Sequence, residues 1–131
     1  MIGRRSLLAL GLWSALNVGA HAQTGERAEG FAAEGVWMYQ PRDRERVELA
    51  VTPGTPLRLF FKGFLVVTEV QRSQEFDLLF AVNMVEVRAN NRRRGQATLS
   101  VKGGDGRIFS VLIQVADGAS RPASPEIVTI R

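Results

Sequence analysis

The chain has 131 residues, with 17 lysine and arginine, 13 aspartate and glutamate, a formal net charge of +4 and no cysteine. This length fits one domain rather than two, and the lack of cysteine excludes a disulfide-supported scaffold. The only histidine is His21, which lies in a segment that we expect to be removed. A mature chain without His or Cys cannot form a Ser-His-Asp or Cys-His catalytic site, or a usual zinc site. We therefore expect no enzymatic activity and no cofactor.

Residues 1–22 have the layout of a secretory signal peptide. "MIGRR" is a short basic start, "SLLALGLWSALNV" is an apolar run, and "GAHA" supplies small residues before a predicted cleavage between Ala22 and Gln23. The alternative, an anchor helix, needs about 20 apolar residues, and this run is shorter. Arg4-Arg5 resembles a twin-arginine export signal, so both Sec and twin-arginine export remain open. We predict a periplasmic or secreted protein with no stable membrane insertion after cleavage.

The chain after the signal begins with a polar stretch and then changes to strand patterns. Residues 23–35, "QTGERAEGFAAEG", are rich in glycine and alanine, and we predict a flexible lead-in there. The folded domain is predicted at residues 36–131, beginning with a strand in "VWMYQ". Two alternating strands follow, "RVELAV" and "LRLFFK", separated by a type II turn at Pro53-Gly54. Gly63 then interrupts the pattern before the strand "FLVVTEVQR".

The second half of the chain continues the same pattern of short strands and turn residues. "FDLLFAV" and "MVEVRAN" are predicted strands, and "QATLSVK" and "RIFSVLIQV" follow as a pair joined by the hairpin turn "GGDG". "EIVTIR" is predicted as the last strand, and no mature segment shows a sustained period of about 3.6 residues. The fold class is therefore predicted to be all-β, as a small Ig-like β-sandwich or a partly open barrel of about 8 strands. The predicted core-facing residues are Val47, Leu49, Val51, Leu57, Leu59, Phe61, Val85, Val87, Ala97, Leu99, Val101, Phe109, Val111, Ile113 and Val115.

The stretch "NNRRRG" contains three consecutive arginines between two predicted strands. Asparagine and glycine favour turns, whereas nucleic-acid binding usually needs a wider basic stripe or aromatic stacking platforms. Removal of the signal leaves 15 basic and 13 acidic side chains, a net charge of only +2. We predict a solvated turn and no nucleic-acid binding, with a basic tip that can dock an acidic partner.

Other polar patterns are better explained by structure than by chemistry. "KGGDGR" offers one side-chain carboxylate, Asp105, whereas calcium needs several oxygen ligands. The acid pairs Asp43/Glu45 and Glu75/Asp77 lie in charge-balanced segments, and nothing in the sequence places either pair in a cleft where acid–base catalysis would need it. We predict no metal site and no catalytic residue.

Two strands carry apolar residues on both faces, at Phe60-Phe61 and Leu78-Leu79-Phe80. Such strands are either covered on both sides or expose an outer apolar patch that contacts a partner, and the sequence leaves both possibilities open. The candidate interface residues are Phe60, Leu78, Phe80, Arg92, Arg93 and Arg94.

Residues 85–115, "VEVRANNRRRGQATLSVKGGDGRIFSVLIQV", resemble two exported β families. One is the small N-terminal domain of outer-membrane secretins and pilus-assembly proteins, with its "G-x-T-x-L-x-V" strand followed by an "x-D-G-R" turn and a last apolar strand. The upstream "VELAVTPGTPLRLFF" is similar to the opening of that domain. The other family is the bacterial Ig-like repeat of surface adhesins, whose final hairpin is similar. The matching residues are Gly95, Thr98 (one place later than usual), Leu99, Val101, Asp105, Gly106 and Arg107.

These resemblances imply structural residues and no catalytic ones, because the shared motif consists of turn glycines and strand alternation. A secretin would continue into a large membrane barrel, and because this chain stops at Arg131 we expect an accessory or stand-alone module. We predict an exported, non-enzymatic module that acts by protein–protein contact in the cell envelope, as an accessory of a secretion or pilus apparatus. Its partner is expected to be another envelope protein or a second copy. The alternative is a periplasmic ligand-binding or inhibitory β-barrel protein, which an apolar pocket with converging polar groups would favour.

Overall fold

The computed structural model describes residues 25–90, 94–118 and 120–131, and these residues form strands and no helix. The all-β prediction is confirmed. The predicted signal peptide, residues 1–22, and the candidate residues Arg92 and Arg93 lie outside the described residues. The strands are β1 (Gly30–Ala33), β2 (Val36–Tyr39), β3 (Arg46–Val51), β4 (Leu57–Phe61), β5 (Leu65–Arg72), β6 (Phe76–Phe80), β7 (Met84–Ala89), β8 (Gln96–Gly103), β9 (Ile108–Val115) and β10 (Ile127–Ile130).

The strands form two mixed sheets. One sheet has six strands in the order β1-β2-β10-β4-β7-β6, and the other has four in the order β3-β9-β8-β5. Most neighbours are antiparallel, but β10 lies parallel to both β2 and β4, and β3 lies parallel to β9. No closed barrel is formed by the described strands.

The inward side chains of both sheets contribute to one hydrophobic core. Every residue that the alternation predicted to face the core is in it, and none of them is more than 6% exposed. Trp37, Leu65, Val67 and Leu78 are partly buried and pack against the same core. The period-2 pattern therefore predicted the inner faces of both sheets correctly, because successive strand residues point to opposite faces.

Two turns also agree with the sequence prediction. Gly54 has φ +88°, and the N–H of Thr55 donates to the carbonyl of Thr52 at 3.0 Å, as expected for a type II turn. The "GGDG" segment joins β8 and β9, with the Gly103 N–H donating to the Arg107 carbonyl at 2.9 Å.

The folded region begins earlier than the sequence predicted. β1 lies inside residues 23–35, predicted as a flexible lead-in, and it pairs antiparallel with β2 along its whole length. Ala28, just before it, is only 7% exposed and belongs to the core. The sequence did not indicate this strand because "GFAA" contains small residues without an alternating pattern. Its pairing with β2 is a contact that propensity does not predict.

Candidate functional site

A row of outward side chains crosses five strands of the six-stranded sheet. Phe31 on β1 lies opposite Met38 on β2, and Met38 lies opposite Thr129 on β10. Thr129 lies opposite Phe60 on β4, which lies opposite Met84 on β7. Phe31 and Met38 lie on consecutive strands, but Phe60 and Met84 come from strands far from them in the chain, and the sheet register brings all four into one row.

More apolar side chains border this row on the same face. Val36 lies two residues before Met38 on β2, and Ile127 lies two residues before Thr129 on β10. On β7, Met84, Glu86 and Arg88 face outward. Leu79 on β6 lies opposite Glu86 and therefore faces outward as well. We call this surface the outer apolar face, and its apolar members are Phe31, Val36, Met38, Phe60, Leu79, Met84 and Ile127.

Much of the outer apolar face is open to solvent. Leu79 is 63% exposed, Ile127 is 48% exposed and Phe31 is 40% exposed, whereas Met38 at the centre is 7% exposed. Phe60 and Met84 are half-buried. Contiguous exposed apolar surface of this kind is typical of protein interaction sites.

A charged cluster lies beside the apolar row on the same face. Arg58 and Arg88 flank the carboxylate of Glu86, and the Arg88 Nε donates to Glu86 Oε2 at 2.8 Å. The Arg58 Nε lies 3.4 Å from Glu86 Oε1. The hydrogen bond from Arg88 lowers the pKa of Glu86, with a further contribution from Arg58, while desolvation opposes the shift. Glu86 is therefore held ionised, and the cluster gives the face a polar border like the rim of a protein interface.

The outer face of the other sheet is more polar. Ile108 and Leu112 are the apolar residues among the outward positions of its two central strands, β8 and β9. The other outward residues of these strands are Gln96, Thr98, Ser100, Lys102, Ser110 and Gln114. On the edge strand β5, Val66 is a further exposed apolar residue, and Lys102 lies between it and Ile108. The apolar residues of this sheet are thus interrupted by polar ones, and this difference between the two sheets identifies the outer apolar face as the candidate interaction site.

The structure separates the apolar residues that the sequence grouped as an interface. Phe60 lies on the outer apolar face, but Leu78 and Phe80 lie opposite buried residues of β7 and therefore face the other way. Leu78 packs against the core, and Phe80 is 49% exposed. The neighbouring Leu79, which was not among the predicted residues, is the β6 side chain on the outer apolar face.

The described part of the arginine stretch lies away from this face. β7 lies in one sheet and β8 in the other, so these two strands do not pair as a hairpin. The Arg94 side chain is 80% exposed, and its Nε lies 3.8 Å from Glu75 Oε2. Gly95 follows with φ +121°, a conformation that glycine adopts without steric cost.

Phe31, Val36, Met84 and Ile127 were missed because their shared face depends on the register between distant strands. The alternation of "MVEVRAN" and "EIVTIR" indicated the two faces of each strand, but not which strands are neighbours.

Comparison with protein-family models and with curated proteins gives no match. Across residues 25–90, 94–118 and 120–131, no three His, Cys, Asp or Glu side chains are grouped so as to hold a metal ion. The same residues include no helix with the length and apolarity needed to cross a membrane.

Proposed function

We propose that this protein is an exported, non-enzymatic β module that acts by protein–protein contact in the cell envelope, with the outer apolar face as its contact surface. The observation that carries the proposal is the exposed apolar surface on one sheet, formed by side chains from six strands. Folded domains seldom leave such a surface bare without a binding role. The partner is another envelope protein or a second copy of the chain.

Two parts of this proposal, export and the family resemblance, rest on the sequence. The basic, apolar and small-residue order of residues 1–22 supports export to the periplasm or the outside. The resemblance of residues 85–115 supports an Ig-like or secretin-type module, and the two-sheet fold is compatible with it. An accessory role in a secretion or pilus apparatus follows from that resemblance.

The energetics favour the phenylalanines as the main contributors to binding. Complete burial of one phenylalanine at a contact contributes about 1.5–3 kcal/mol, equivalent to roughly a tenfold to hundredfold change in affinity. Phe31 is 40% exposed and Phe60 is half-buried before any partner binds, so each gains only part of that amount. The charged cluster of Arg58, Glu86 and Arg88 adds orientation rather than large affinity, because both guanidinium groups already pair with the Glu86 carboxylate.

A matched pair of double variants tests the contact surface. Phe31→Ser with Phe60→Ser removes apolar area from the outer apolar face without touching the core. Val66→Ser with Ile108→Ser is the control, because these side chains are 61% and 54% exposed on the outer face of the other sheet.

If the partner is a second copy, we expect the Phe31→Ser, Phe60→Ser variant to lose self-association in sedimentation experiments. If the partner is another envelope protein, we expect this variant to lose its cross-linked partner in envelope extracts. The control variant should keep its association in either case. Circular dichroism and urea unfolding check that both variants are folded. A folded Phe31→Ser, Phe60→Ser variant with unchanged association would refute the proposed surface.

Export is tested separately by intact-mass measurement on protein recovered from the periplasm or medium. We expect a chain that begins at Gln23. A mass that still includes residues 1–22 would contradict cleavage, whatever the outcome for the contact surface.

A further inference from the structure

A cleft of about 540 Å³ lies over the edge of β3. It is separate from the outer apolar face, because Trp37 and Tyr39 in its lining belong to the inward side of β2. We call it the β3 cleft, and the residues used below are Arg27, Trp37, Tyr39, Glu48, Gln114 and Arg121.

Two chain segments occupy the ends of the β3 edge and leave its middle open. At one end the Arg46 N–H donates to the Glu26 carbonyl at 2.9 Å, and the Ala28 N–H donates to the Arg46 carbonyl at 2.8 Å. At the other end the Ser124 N–H donates to the Ala50 carbonyl at 2.9 Å, and the Ala50 N–H donates to Ser124 Oγ at 2.9 Å. Both segments thus pair with alternate residues of β3.

Glu48 lies midway between these two paired positions. On the opposite side β3 bonds to β9, as shown by the Ser110 N–H donating to the Glu45 carbonyl and the Ala116 N–H donating to the Val51 carbonyl. In a parallel pair, alternate residues of a strand direct their backbone N–H and carbonyl groups to the same side. The backbone N–H and carbonyl of Glu48 therefore point to the cleft, as those of Arg46 and Ala50 do. No group in residues 25–90, 94–118 or 120–131 hydrogen-bonds to its N–H or carbonyl. Among the described residues, one donor and one acceptor of the strand are therefore open in the cleft.

Two aromatic side chains in the lining also have unused hydrogen-bonding groups. The rings of Trp37 and Tyr39 form an edge-to-face pair with centroids 6.4 Å apart. Tyr39 is only 8% exposed, yet within the described residues neither its hydroxyl nor the Trp37 indole N–H has a hydrogen-bond partner. Buried Tyr and Trp usually find such a partner, and a bound molecule would supply one.

Positive charge predominates along the groove beyond the cleft. The β3 cleft shares Gln114 and Arg121 with an adjoining cleft that is also lined by Arg72, Arg94 and Glu75. Among the described residues of that second cleft, arginines therefore outnumber carboxylates, which favours an acidic ligand. In the first cleft, Glu48 carries the negative charge, and its carboxylate lies 3.7 Å from Arg27 Nη1.

We propose that the β3 cleft binds an extended, acidic peptide segment of another protein. One residue of the peptide would pair with the open N–H and carbonyl of Glu48, between the positions that residues 26–28 and Ser124 already occupy on the β3 edge. A prolyl or aliphatic side chain would pack on Trp37 and Tyr39, since aromatic-lined grooves bind such residues. An acidic side chain would reach Arg121 and the arginines beyond it. A peptide fits the open backbone pair because each of its amides has one donor and one acceptor.

Selection from a random 12-residue peptide library displayed on phage provides the probe, with the purified exported protein as the target. We expect the enriched peptides to combine proline or aliphatic residues with Asp or Glu. A ¹⁵N-labelled protein titrated with the best synthetic peptide should show the largest shifts at the Glu48 amide and the Trp37 indole N–H. Absence of enrichment, or shifts confined to the outer apolar face, would overturn the proposal.

Two substitutions at one position isolate the backbone contribution. Glu48→Ala removes the carboxylate and keeps the N–H, whereas Glu48→Pro also removes the N–H, at an edge position where proline is tolerated. We expect Glu48→Pro to bind the peptide about tenfold more weakly than Glu48→Ala, and equal affinities would contradict the backbone pairing. If Glu48→Pro does not fold, Arg121→Glu replaces it. That variant should weaken acidic peptides more than neutral analogues of the same sequence, and an equal effect on both would also overturn the proposal.

Discussion

Gly30→Ala should destabilise the protein because two aromatic rings rest against β1 at this glycine. A Cβ at residue 30 would lie 2.5 Å from Trp37 Nε1 and 2.8 Å from Tyr39 Cζ, closer than packed carbon atoms approach. Rings are rigid, so the added methyl must displace them or the strand. Overpacking of this kind costs about 1–3 kcal/mol.

The expected loss is measurable by urea unfolding followed by circular dichroism. With an m-value of about 2 kcal/mol/M, as is usual for a small domain, the midpoint should fall by about 0.5–1.5 M. Trp37 is the only tryptophan left after removal of residues 1–22, which contain Trp13. Its fluorescence emission should therefore shift as the ring is displaced.

A double-mutant cycle with Trp37→Leu identifies the cause of the loss. If the methyl clashes with the indole, Gly30→Ala should lower the free energy of unfolding less in the Trp37→Leu background than in the wild type. A Gly30→Ala protein with an unchanged urea midpoint and unchanged emission would refute this packing, and with it the arrangement of the β3 cleft lining.

Two further predictions concern the arginine connection and the charged cluster. Gly95→Val should lower the free energy of unfolding by more than about 1 kcal/mol, because φ there is +121° and a Cβ would lie 3.0 Å from the Phe76 ring. Arg94→Ser replaces an exposed side chain and should change the free energy of unfolding by no more than about 0.5 kcal/mol. Equal losses for the two variants in urea unfolding would show that the arginine is structural. Arg88 lowers the folded-state pKa of Glu86 below its ordinary 4.5, so the stabilisation is present above that value and is lost as the pH falls through the lower folded-state pKa. Thermal unfolding of wild type and Glu86→Gln from about pH 6 to about pH 3 measures this effect. The difference in stability between the two proteins should become smaller as the pH falls, and a constant difference would contradict stabilisation by the ionised Glu86.

The local features of this protein can be read from its amino-acid sequence. Alternation in "RVELAV", "QATLSVK" and "RIFSVLIQV" identified the inward residues, because successive side chains of a strand point to opposite faces whatever the neighbours are. Pro53-Gly54 and "GGDG" identified turns for an equally local reason, since a few residues decide the backbone conformation of a turn. The prediction of export also rests on the sequence, in residues 1–22.

Strand pairing, in contrast, depends on contacts between distant segments and is visible only in the folded structure. β10 lies between β2 and β4, and this places Thr129 beside Met38 and Phe60, which are distant in the chain. Within a strand the pattern separates two faces, but the choice of neighbour depends on packing between remote segments, where context outweighs propensity. For the same reason the sequence grouped Phe60 with Leu78, whereas the register turned Leu78 inward. The open backbone of Glu48 is likewise a tertiary feature, because it results from where residues 26–28 and Ser124 pair along β3.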